Sequence, residues 1–272
     1  MRQEKVWLVT GASRGFGRIW TEAALSRGDK VVATARKAET LADLVATFGD
    51  AVLPLVLDVT DRDAVFAAVA EGHRHFGRLD VIVSNAGYAY MSAVEEIEPE
   101  DARANFETNV FGTLSVIQAA LPFLRAQGSG HILTLSSIGG VLSFPTGGIY
   151  LATKFAVEAL SEALAGEVAG FGINVTILEP GSFRTGFENS VKLAAPMPEY
   201  EAAFKSIRAT FKPEMRGDPQ ATSAAVLAVV DAEDPPLRLL LGNISLPVIK
   251  KVYEARMSTW EAWKDVADAA QG

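Results

Sequence analysis

The stretch VTGASRGFG, residues 9–17, lies between a short apolar run and a helical pattern, and it decides the fold class. Gly11, Gly15 and Gly17 permit a tight turn and let a ligand approach the backbone closely. The helix that follows would point its unpaired N–H groups and the positive end of its dipole at the same place, which suits a phosphate. Doubly wound α/β folds bind dinucleotides at such a turn between the first strand and the first helix. The stretch therefore predicts a nucleotide site, with a purely structural turn as the alternative.

Short apolar segments rich in β-branched residues alternate with longer helical patterns along the chain. The predicted strands are 5–10, 30–35, 51–59, 79–87, 131–137, 173–178 and 237–242. Most are continuous apolar runs without polar alternation, which indicates burial on both faces of a sheet. We therefore predict a single α/β domain over residues 1–245, Rossmann-type and doubly wound. Its sheet should be seven-stranded and mainly parallel, with helices on both faces.

Two segments differ from this alternation. Residues 182–217 are irregular and contain several prolines, which is typical of a lid or a binding loop. Residues 246–272 are predicted as a C-terminal helical extension, because apolar side chains from Ile249 to Val266 recur at helical spacing. This helix should pack on its own domain or on a second subunit. Membrane binding is disfavoured because its polar face mixes charge signs.

Composition excludes several classes of protein. The chain has 272 residues, 49% of them hydrophobic, and a net charge of −8. A disordered chain is excluded, and an acidic surface disfavours binding to nucleic acid. No cysteine is present, and the three histidines lack the spacing of metal ligands, so we expect neither thiolate chemistry nor a metal. The N-terminus resembles neither a signal peptide nor a membrane span, so we expect a cytoplasmic protein.

The end of the second predicted strand indicates which nicotinamide cofactor the turn would select. Folds of this type that bind NAD place an acidic residue there, to hold the ribose 2′-hydroxyl. Here Ala35 takes that place and Arg36 follows it, while Arg14 lies in the glycine turn. Two guanidinium groups suit the 2′-phosphate of NADP, and two solvated surface arginines are the alternative. NADP(H) is therefore favoured over NAD(H).

Several motifs, in order, resemble those of the short-chain dehydrogenase/reductase family, and the resemblance extends to about residue 245. They are TGASRGFG (10–17), LDV (57–59), NAG (85–87), NVFG (109–112), YLATK (150–154) and PGSFRT (180–185). The similarity is to single-domain, NADP-preferring members described as 17β-hydroxysteroid-dehydrogenase-like. Ser84 departs from the pattern, since many members have a second asparagine there, and the tail beyond residue 245 is longer than the family needs.

The resemblance implies a set of cofactor-binding residues. Asp58 would contact the adenine ring and Thr185 the nicotinamide carboxamide. With Arg36, the full set is Gly11, Ser13, Arg14, Gly15, Phe16, Gly17, Arg36, Asp58, Val59, Asn85, Ala86, Gly87, Tyr150, Lys154, Pro180, Gly181, Phe183 and Thr185.

Tyr150 and Lys154 are four residues apart, so a helix would place them on one face. A free phenol has a pKa near ~10, and a nearby ammonium should lower it toward neutral pH. The resemblance implies that Tyr150 exchanges a proton with the substrate oxygen and that Ser137 hydrogen-bonds this oxygen. Lys154 would also hold the nicotinamide ribose, and Asn109 would hold a water. The alternative is a packed ring beside a snorkelling amine.

These features predict an NADP(H)-dependent oxidoreductase that interconverts a carbonyl compound and an alcohol, with reduction favoured. Aromatic and apolar residues of the loops suggest an apolar or aromatic substrate, although ordinary packing would explain them equally: Tyr88, Tyr90, Phe144, Phe183, Phe187, Met197, Tyr200, Phe204 and Phe211. Family membership would imply a homo-oligomer, dimeric or tetrameric. The alternatives are an NAD-dependent alcohol dehydrogenase, a non-catalytic NADP-sensing regulator, and a sugar-nucleotide epimerase or dehydratase, which needs a longer chain.

Overall fold

The computed structural model describes residues 3–210 and 213–272. The strands are β1 (Val6–Val9), β2 (Lys30–Ala35), β3 (Val52–Val56), β4 (Val81–Ser84), β5 (Tyr90–Met91), β6 (Gly130–Leu135), β7 (Ile173–Pro180), β8 (Lys192–Leu193) and β9 (Arg238–Leu241). The α-helices are α1 (Gly15–Ser26), α2 (Ala42–Phe48), α3 (Arg62–Phe76), α4 (Pro99–Phe106), α5 (Gly112–Gln127), α6 (Gly148–Val168), α7 (Glu201–Thr210), α8 (Thr222–Asp231), α9 (Ser245–Ala262) and α10 (Lys264–Ala269).

Seven of these strands form one sheet in the order β3-β2-β1-β4-β6-β7-β9. Every pair in it is parallel; Leu8 of β1, for example, lies opposite Val32 of β2 and Ile82 of β4. The chain runs outward from β1 through β2 to β3, then returns to the other side of β1 with β4. The predicted doubly wound, seven-stranded parallel sheet is confirmed.

Alternate residues of the central strands enter two separate cores. Trp7 and Val9 of β1 pack into one core, whereas Val6 and Leu8 pack into the other, because successive side chains of a strand point to opposite faces. All four residues of β1 are buried, which explains the continuous apolar run. The edge strand β3 differs: its last residue, Val56, is 62% exposed.

Local chemistry explains where α3 begins and ends. Its N-cap, Asp61, accepts a hydrogen bond from the backbone N–H of Ala64 at 3.0 Å, and Gly77 ends the helix with φ of 78°. The helix α2, at Ala42–Phe48, was not predicted, because seven residues are too few for a clear helical period.

The predicted lid region contains α7 and β8, and its first half is tied to the loop after β4. Strand β8 pairs with β5, a contact that sequence analysis did not predict. The buried carboxylate of Glu96 accepts the backbone N–H groups of Ala93 at 2.7 Å and Met197 at 2.8 Å. Phe211, one of the predicted substrate-lining residues, lies outside the described residues.

The C-terminal segment is helical, as its spacing predicted, and forms α9 and α10. Ile249 and Val252 are partly buried, whereas Trp260 is 62% exposed. Only part of the apolar face is therefore covered by the domain. Within the ranges that the structure describes, none of the helices combines the length and the apolar character needed to cross a membrane.

Candidate functional site

The glycine turn brings the start of α1 against the backbone that follows β1. Gly11 and Gly15 have positive φ angles of 70° and 57°, which glycine adopts without strain. A Cβ added at Gly17 would lie 2.4 Å from the carbonyl oxygen of Gly11 and 2.4 Å from Nδ2 of Asn85. The turn therefore needs glycine at residue 17 because of packing, and at residues 11 and 15 because of their backbone conformation.

Hydrogen bonds join this turn to the NAG segment after β4. Asn85 Nδ2 donates to the carbonyl oxygen of Thr10 at 2.8 Å. In return, Thr10 Oγ1 accepts the backbone N–H groups of Asn85 at 3.0 Å and Ala86 at 3.1 Å. Two of the predicted cofactor-binding segments thus form one rigid unit. Thr10 was not predicted, and a polar residue at the end of an otherwise apolar strand is the signal that could have found it.

The ends of β2 and β3 lie at the same edge of the sheet. The backbone N–H of Ala12 donates to Thr34 O at 2.8 Å, which holds the glycine turn beside the end of β2. Arg36 follows that strand, and both Arg36 and Arg14 are exposed. Asp58 Oδ1 accepts from the backbone N–H of Thr60 at 3.0 Å and from its hydroxyl at 2.8 Å. Its neighbour Val59 is buried and packs against Gly112.

The segment after β7 folds over the glycine turn. Gly181, which follows Pro180, donates its N–H to Leu241 O at 3.0 Å. The ring of Phe183 meets that of Phe16 edge-on, with centroids 5.5 Å apart. A Cβ on Gly15 would be 3.5 Å from the carbonyl oxygen of Thr185. Residues 180–185 and the turn that contains Ser13 therefore face one another.

Helix α6 carries Tyr150 and Lys154 beside the end of β6. Lys154 is buried, and its Nζ donates to Leu135 O at 2.7 Å. Ser137 follows β6, and its Oγ accepts the backbone N–H of Gly139 at 3.0 Å. The Nζ of Lys154 lies 5.9 Å from the centroid of the Tyr150 ring. These three predicted residues are brought together by one strand end and one helix.

Burial is the main influence on the pKa values of Tyr150 and Lys154. It raises the pKa of Tyr150 to about 12, and the hydrogen bond with Ser137 opposes the rise. Burial likewise lowers the pKa of Lys154 to about 8, against the attraction of the Glu158 carboxylate. The prediction that the pKa of the phenol is lowered toward neutral pH is wrong for this structure, because burial raises it instead.

Asn109 lies in a π-helical segment, Glu107–Phe111, between α4 and α5. Its Oδ1 accepts the N–H of Tyr88 at 3.1 Å, and its Nδ2 donates to Tyr88 O at 2.9 Å and to Thr153 Oγ1 at 3.0 Å. Single π-helical turns are frequent at functional sites, but a sequence pattern does not reveal them. The amide holds the loop after β4 against α6.

Gly87 leaves room beside the side chains of Asn109 and Lys154. A Cβ there would be 3.0 Å from Asn109 Oδ1 and 3.9 Å from Lys154 Nζ. An ammonium has three N–H donors, and the described contacts of Lys154 use one of them, on Leu135. With the glycine turn, this forms a cradle along the carboxyl ends of the strands, where folds of this type bind a dinucleotide.

A carboxyl pair that sequence analysis missed lies one turn beyond Lys154. Glu158 of α6 and Glu179 of β7 are both buried, and their carboxyl groups interact electrostatically. Arg238 Nε lies 3.0 Å from Glu158 and 3.4 Å from Glu179, and its Nη2 lies 2.7 Å from Glu162. Burial and the charge of Glu158 raise the pKa of Glu179 to about 7. Only the fold brings these acids together, since they come from different elements.

This pKa predicts how stability depends on pH. A free glutamate titrates near 4.5, whereas Glu179 in the folded protein keeps its proton up to about 7. At Glu179 the folded state therefore binds more protons between these values, so this group's contribution to the free energy of unfolding falls as pH rises from about 4.5 to about 7. Glu179→Gln, neutral at every pH, should remove this contribution and flatten the pH dependence of stability.

Urea unfolding at about pH 5 and about pH 8 measures the effect. Glu162→Gln is the control, because it removes an Arg238 partner whose side chain is 62% exposed. We expect the control to keep the pH dependence of the unchanged protein. Parallel pH profiles for Glu179→Gln and the unchanged protein would contradict the assignment.

The predicted substrate-lining residues divide into two groups. Phe187 lies beside Tyr150, with ring centroids 6.1 Å apart. Phe144 packs against Gly147, so closely that a Cβ added to this glycine would lie 2.9 Å from the phenylalanine ring. Tyr90 instead is fully buried, and its hydroxyl accepts the N–H of Glu98 at 3.2 Å. Phe183 belongs to the packing around α1. Aromatic composition alone could not separate these roles.

Comparison with known proteins identifies relatives over the whole chain. A family model described as short chain dehydrogenase matches residues 5–196. Oxidoreductase BOA17 of Botryotinia fuckeliana is 42% identical over 271 residues, which cover 98% of this chain and 99% of that protein. A 3-ketodihydrosphingosine reductase of Bacteroides thetaiotaomicron is 36% identical, with 95% of this chain and 93% of that protein covered.

Solved structures share the fold. A short-chain dehydrogenase from Streptomyces avermitilis superposes with a TM-score of 0.93 at 40% identity, covering 99% of each chain. An alcohol dehydrogenase from the archaeon Thermococcus sibiricus, complexed with 5-hydroxy-NADP, has a TM-score of 0.75 at 26% identity over 89% of this chain and 98% of that one. A short chain dehydrogenase/reductase from Burkholderia phymatum, in complex with NAD, has a TM-score of 0.82 at 25% identity over 96% of this chain and 95% of that one.

The family match, the relatives that align end to end and the cradle along the strand ends agree with one another. They confirm the predicted family and the predicted class of enzyme. The chain belongs to the short-chain dehydrogenase/reductase family and is an oxidoreductase that uses a nicotinamide cofactor.

Proposed function

We propose that this enzyme reduces an apolar or aromatic ketone or aldehyde to the alcohol with NADPH, and that Tyr150 is its general acid. The convergence of Tyr150, Ser137 and Lys154 at the end of β6 is the observation that carries the proposal. The bound nicotinamide supplies the hydride that adds to the carbonyl carbon. Tyr150 Oη gives its proton to the carbonyl oxygen, and Ser137 Oγ donates a hydrogen bond to the same oxygen.

The other predicted catalytic residues hold this arrangement. Lys154 would hold the cofactor ribose with its ammonium, and it lies close to Gly87 beside Asn109, whose amide joins α6 to the loop after β4. With its pKa at about 12, Tyr150 carries its proton at neutral pH, as the general acid of a reduction must. The resemblance further implies that Asn109 holds a water, through which Tyr150 would regain its proton.

Cofactor contacts are proposed for the predicted set, from Gly11 to Thr185. Arg14 and Arg36 would bind the 2′-phosphate of NADP, and their exposure at the edge that holds the glycine turn supports this preference. The similar structures include one in complex with 5-hydroxy-NADP and one in complex with NAD. The proposed preference for NADP over NAD therefore rests on these two arginines.

We expect NADPH to stabilise the protein more than NADH does, and Arg14→Ala and Arg36→Ala to weaken NADPH binding. A ligand at a hundred times its Kd raises the free energy of unfolding by ~2.7 kcal/mol, which a melting curve detects. A charge-assisted hydrogen bond contributes about 1.5–3 kcal/mol, so each substitution should raise the Kd for NADPH roughly tenfold to a hundredfold. NADH binding should change little.

Titration of each variant with both cofactors tests this expectation. Arg74→Ala is the matched control, because Arg74 is exposed on α3 and paired with Glu71 on the same helix. Equal losses of NADPH and NADH affinity in the Arg36→Ala variant would refute the 2′-phosphate assignment. A stronger response to NADH in the unchanged protein would favour an NAD-dependent alcohol dehydrogenase.

The proposed apolar substrate is supported by Phe187 and Phe144 beside Tyr150 and Gly147. One relative is named as a reductase of a keto compound, 3-ketodihydrosphingosine, which agrees with the direction proposed here. A panel of ketones and aldehydes, graded from apolar to charged, tests it through the loss of NADPH absorbance. Equal turnover of charged and apolar compounds would contradict the proposal.

The remaining predictions stay proposals. They are the 17β-hydroxysteroid-dehydrogenase-like branch, the boundary of the dehydrogenase domain at residue 245, the role of residues 182–217 as a lid, a homo-oligomer and a cytoplasmic location.

A further inference from the structure

An apolar stripe on α9 faces away from the domain. Leu246, Tyr253, Met257 and Trp260 are 48%, 44%, 48% and 62% exposed. At 3.6 residues per turn, they lie within about 60° of one another around the helix axis. Contiguous apolar patches on a surface mark sites of interaction, whereas single exposed residues need no explanation.

Contacts on the neighbouring face fix the direction of this stripe. Ile249 and Val252 are partly buried, and Arg256 Nη1 donates to Val141 O at 3.1 Å. The guanidinium also lies 5.3 Å from the centroid of the Tyr253 ring. Helix α9 is therefore docked on the domain along one side, and the stripe beside that contact stays outside it.

Two opposite charges lie on one flank of the stripe, a lysine toward its N-terminal end and a glutamate toward its C-terminal end. Lys250 and Glu261 line a groove together with Tyr253, Met257 and residues between them. They lie within about 20° of each other around the axis, on the same flank, and eleven residues apart along the chain. At 1.5 Å per residue, about 16 Å separates them, so they do not pair within one helix.

We propose that the α9 stripe is a self-association surface on which the α9 helices of two copies pack antiparallel about a two-fold axis. A two-fold axis makes the same patch face itself. If it passes between residues 255 and 256, Lys250 of one copy lies opposite Glu261 of the second, and the reverse pair forms as well. Tyr253 and Met257 then flank the axis and fill the centre of the interface.

Complementary charge favours a second copy over other occupants. The net charge of −8 disfavours an anionic membrane. A second copy is also acidic, but the antiparallel arrangement places Lys250 of each copy opposite Glu261 of the other. The inference stands apart from the catalytic roles proposed above, and its test does not use activity.

A single introduced cysteine reports on this surface alone, because the chain has none of its own. Met257→Cys keeps a small apolar side chain next to the proposed axis. Ala255→Cys is the matched control, since residue 255 points to the opposite side of the helix. We expect a short bis-maleimide to cross-link the Met257→Cys protein into dimers and to leave the Ala255→Cys protein monomeric on denaturing gels. Equal cross-linking of the two would overturn the proposal.

Charge reversal then tests the register. In the Met257→Cys background, Lys250→Glu alone places two acids opposite each other, and Glu261→Lys alone places two bases opposite each other. We expect each variant by itself to lose at least most of the cross-linked dimer, and an equimolar mixture of the two to regain it. Melting curves verify that all variants are folded. A mixture that cross-links no better than its components, or single variants that cross-link like their parent, would refute the antiparallel pairing.

Discussion

Tyr150→Phe is expected to lower kcat by about a hundredfold to ten-thousandfold while the protein stays folded and still binds its cofactor. The substitution removes one oxygen and its proton and keeps the ring, which packs near Phe187. General acid catalysis by a positioned side chain contributes roughly 10²–10⁴ to the rate. Steady-state kinetics with NADPH and a reducible ketone measure the loss.

Tyr253→Phe is the control for this experiment. It makes the same chemical change on α9, where the phenol is 44% exposed, and should leave kcat unchanged. The melting temperature with and without NADPH verifies that the Tyr150→Phe protein is folded and binds cofactor. Turnover within a few-fold of the unchanged enzyme would mean that Tyr150 is only a packed ring beside a buried amine.

Gly17→Ala is expected to destabilise the protein by about 3 kcal/mol or more and to abolish its stabilisation by cofactor. The added methyl group would lie 2.4 Å from a backbone carbonyl and 2.4 Å from the Asn85 amide. That amide holds the NAG segment to Thr10, so relief of the clash must separate α1 from the turn or break this link. Either movement deforms the cradle proposed for the phosphates.

Gly166→Ala is the control, and we expect it to change stability in the opposite direction. A Cβ at Gly166 of α6 would meet nothing within 4 Å, and the residue is exposed in a helix interior. Alanine should therefore stabilise the protein there by roughly 0.5–1 kcal/mol. Urea unfolding compares the two variants. A Gly17→Ala protein as stable and as responsive to NADPH as the unchanged one would show that the packing at this turn is less close than described.

The main sheet could be predicted because its central strands are buried on both faces. β1 and β4 are entirely buried, and their apolar runs stand out against the polar helices. The small sheet of β5 and β8 could not be predicted, because two residues per strand carry no periodicity. The same limit applies to α2, which is only two turns long.

Those parts of the candidate site that follow a strand were predictable, since parallel strands bring their carboxyl ends to one edge of the sheet. Ser137 lies there for this reason, and Tyr150 and Lys154 reach it from helix α6. The direction of the phenol's pKa shift was not predictable, because it depends on how deeply the fold buries the group. The pair of Glu158 and Glu179 escaped notice because its members are far apart in sequence and form no motif.

The strand order has a consequence for how the protein can be made. β2 and then β3 extend the sheet on one side of β1, and β4, β6, β7 and β9 extend it successively on the other. Each strand that leaves the ribosome therefore meets an edge that already exists, and none has to be inserted between two earlier partners. Because proteins of this size fold through partly structured intermediates, a sheet that grows only at its borders avoids reopening strands that have already paired.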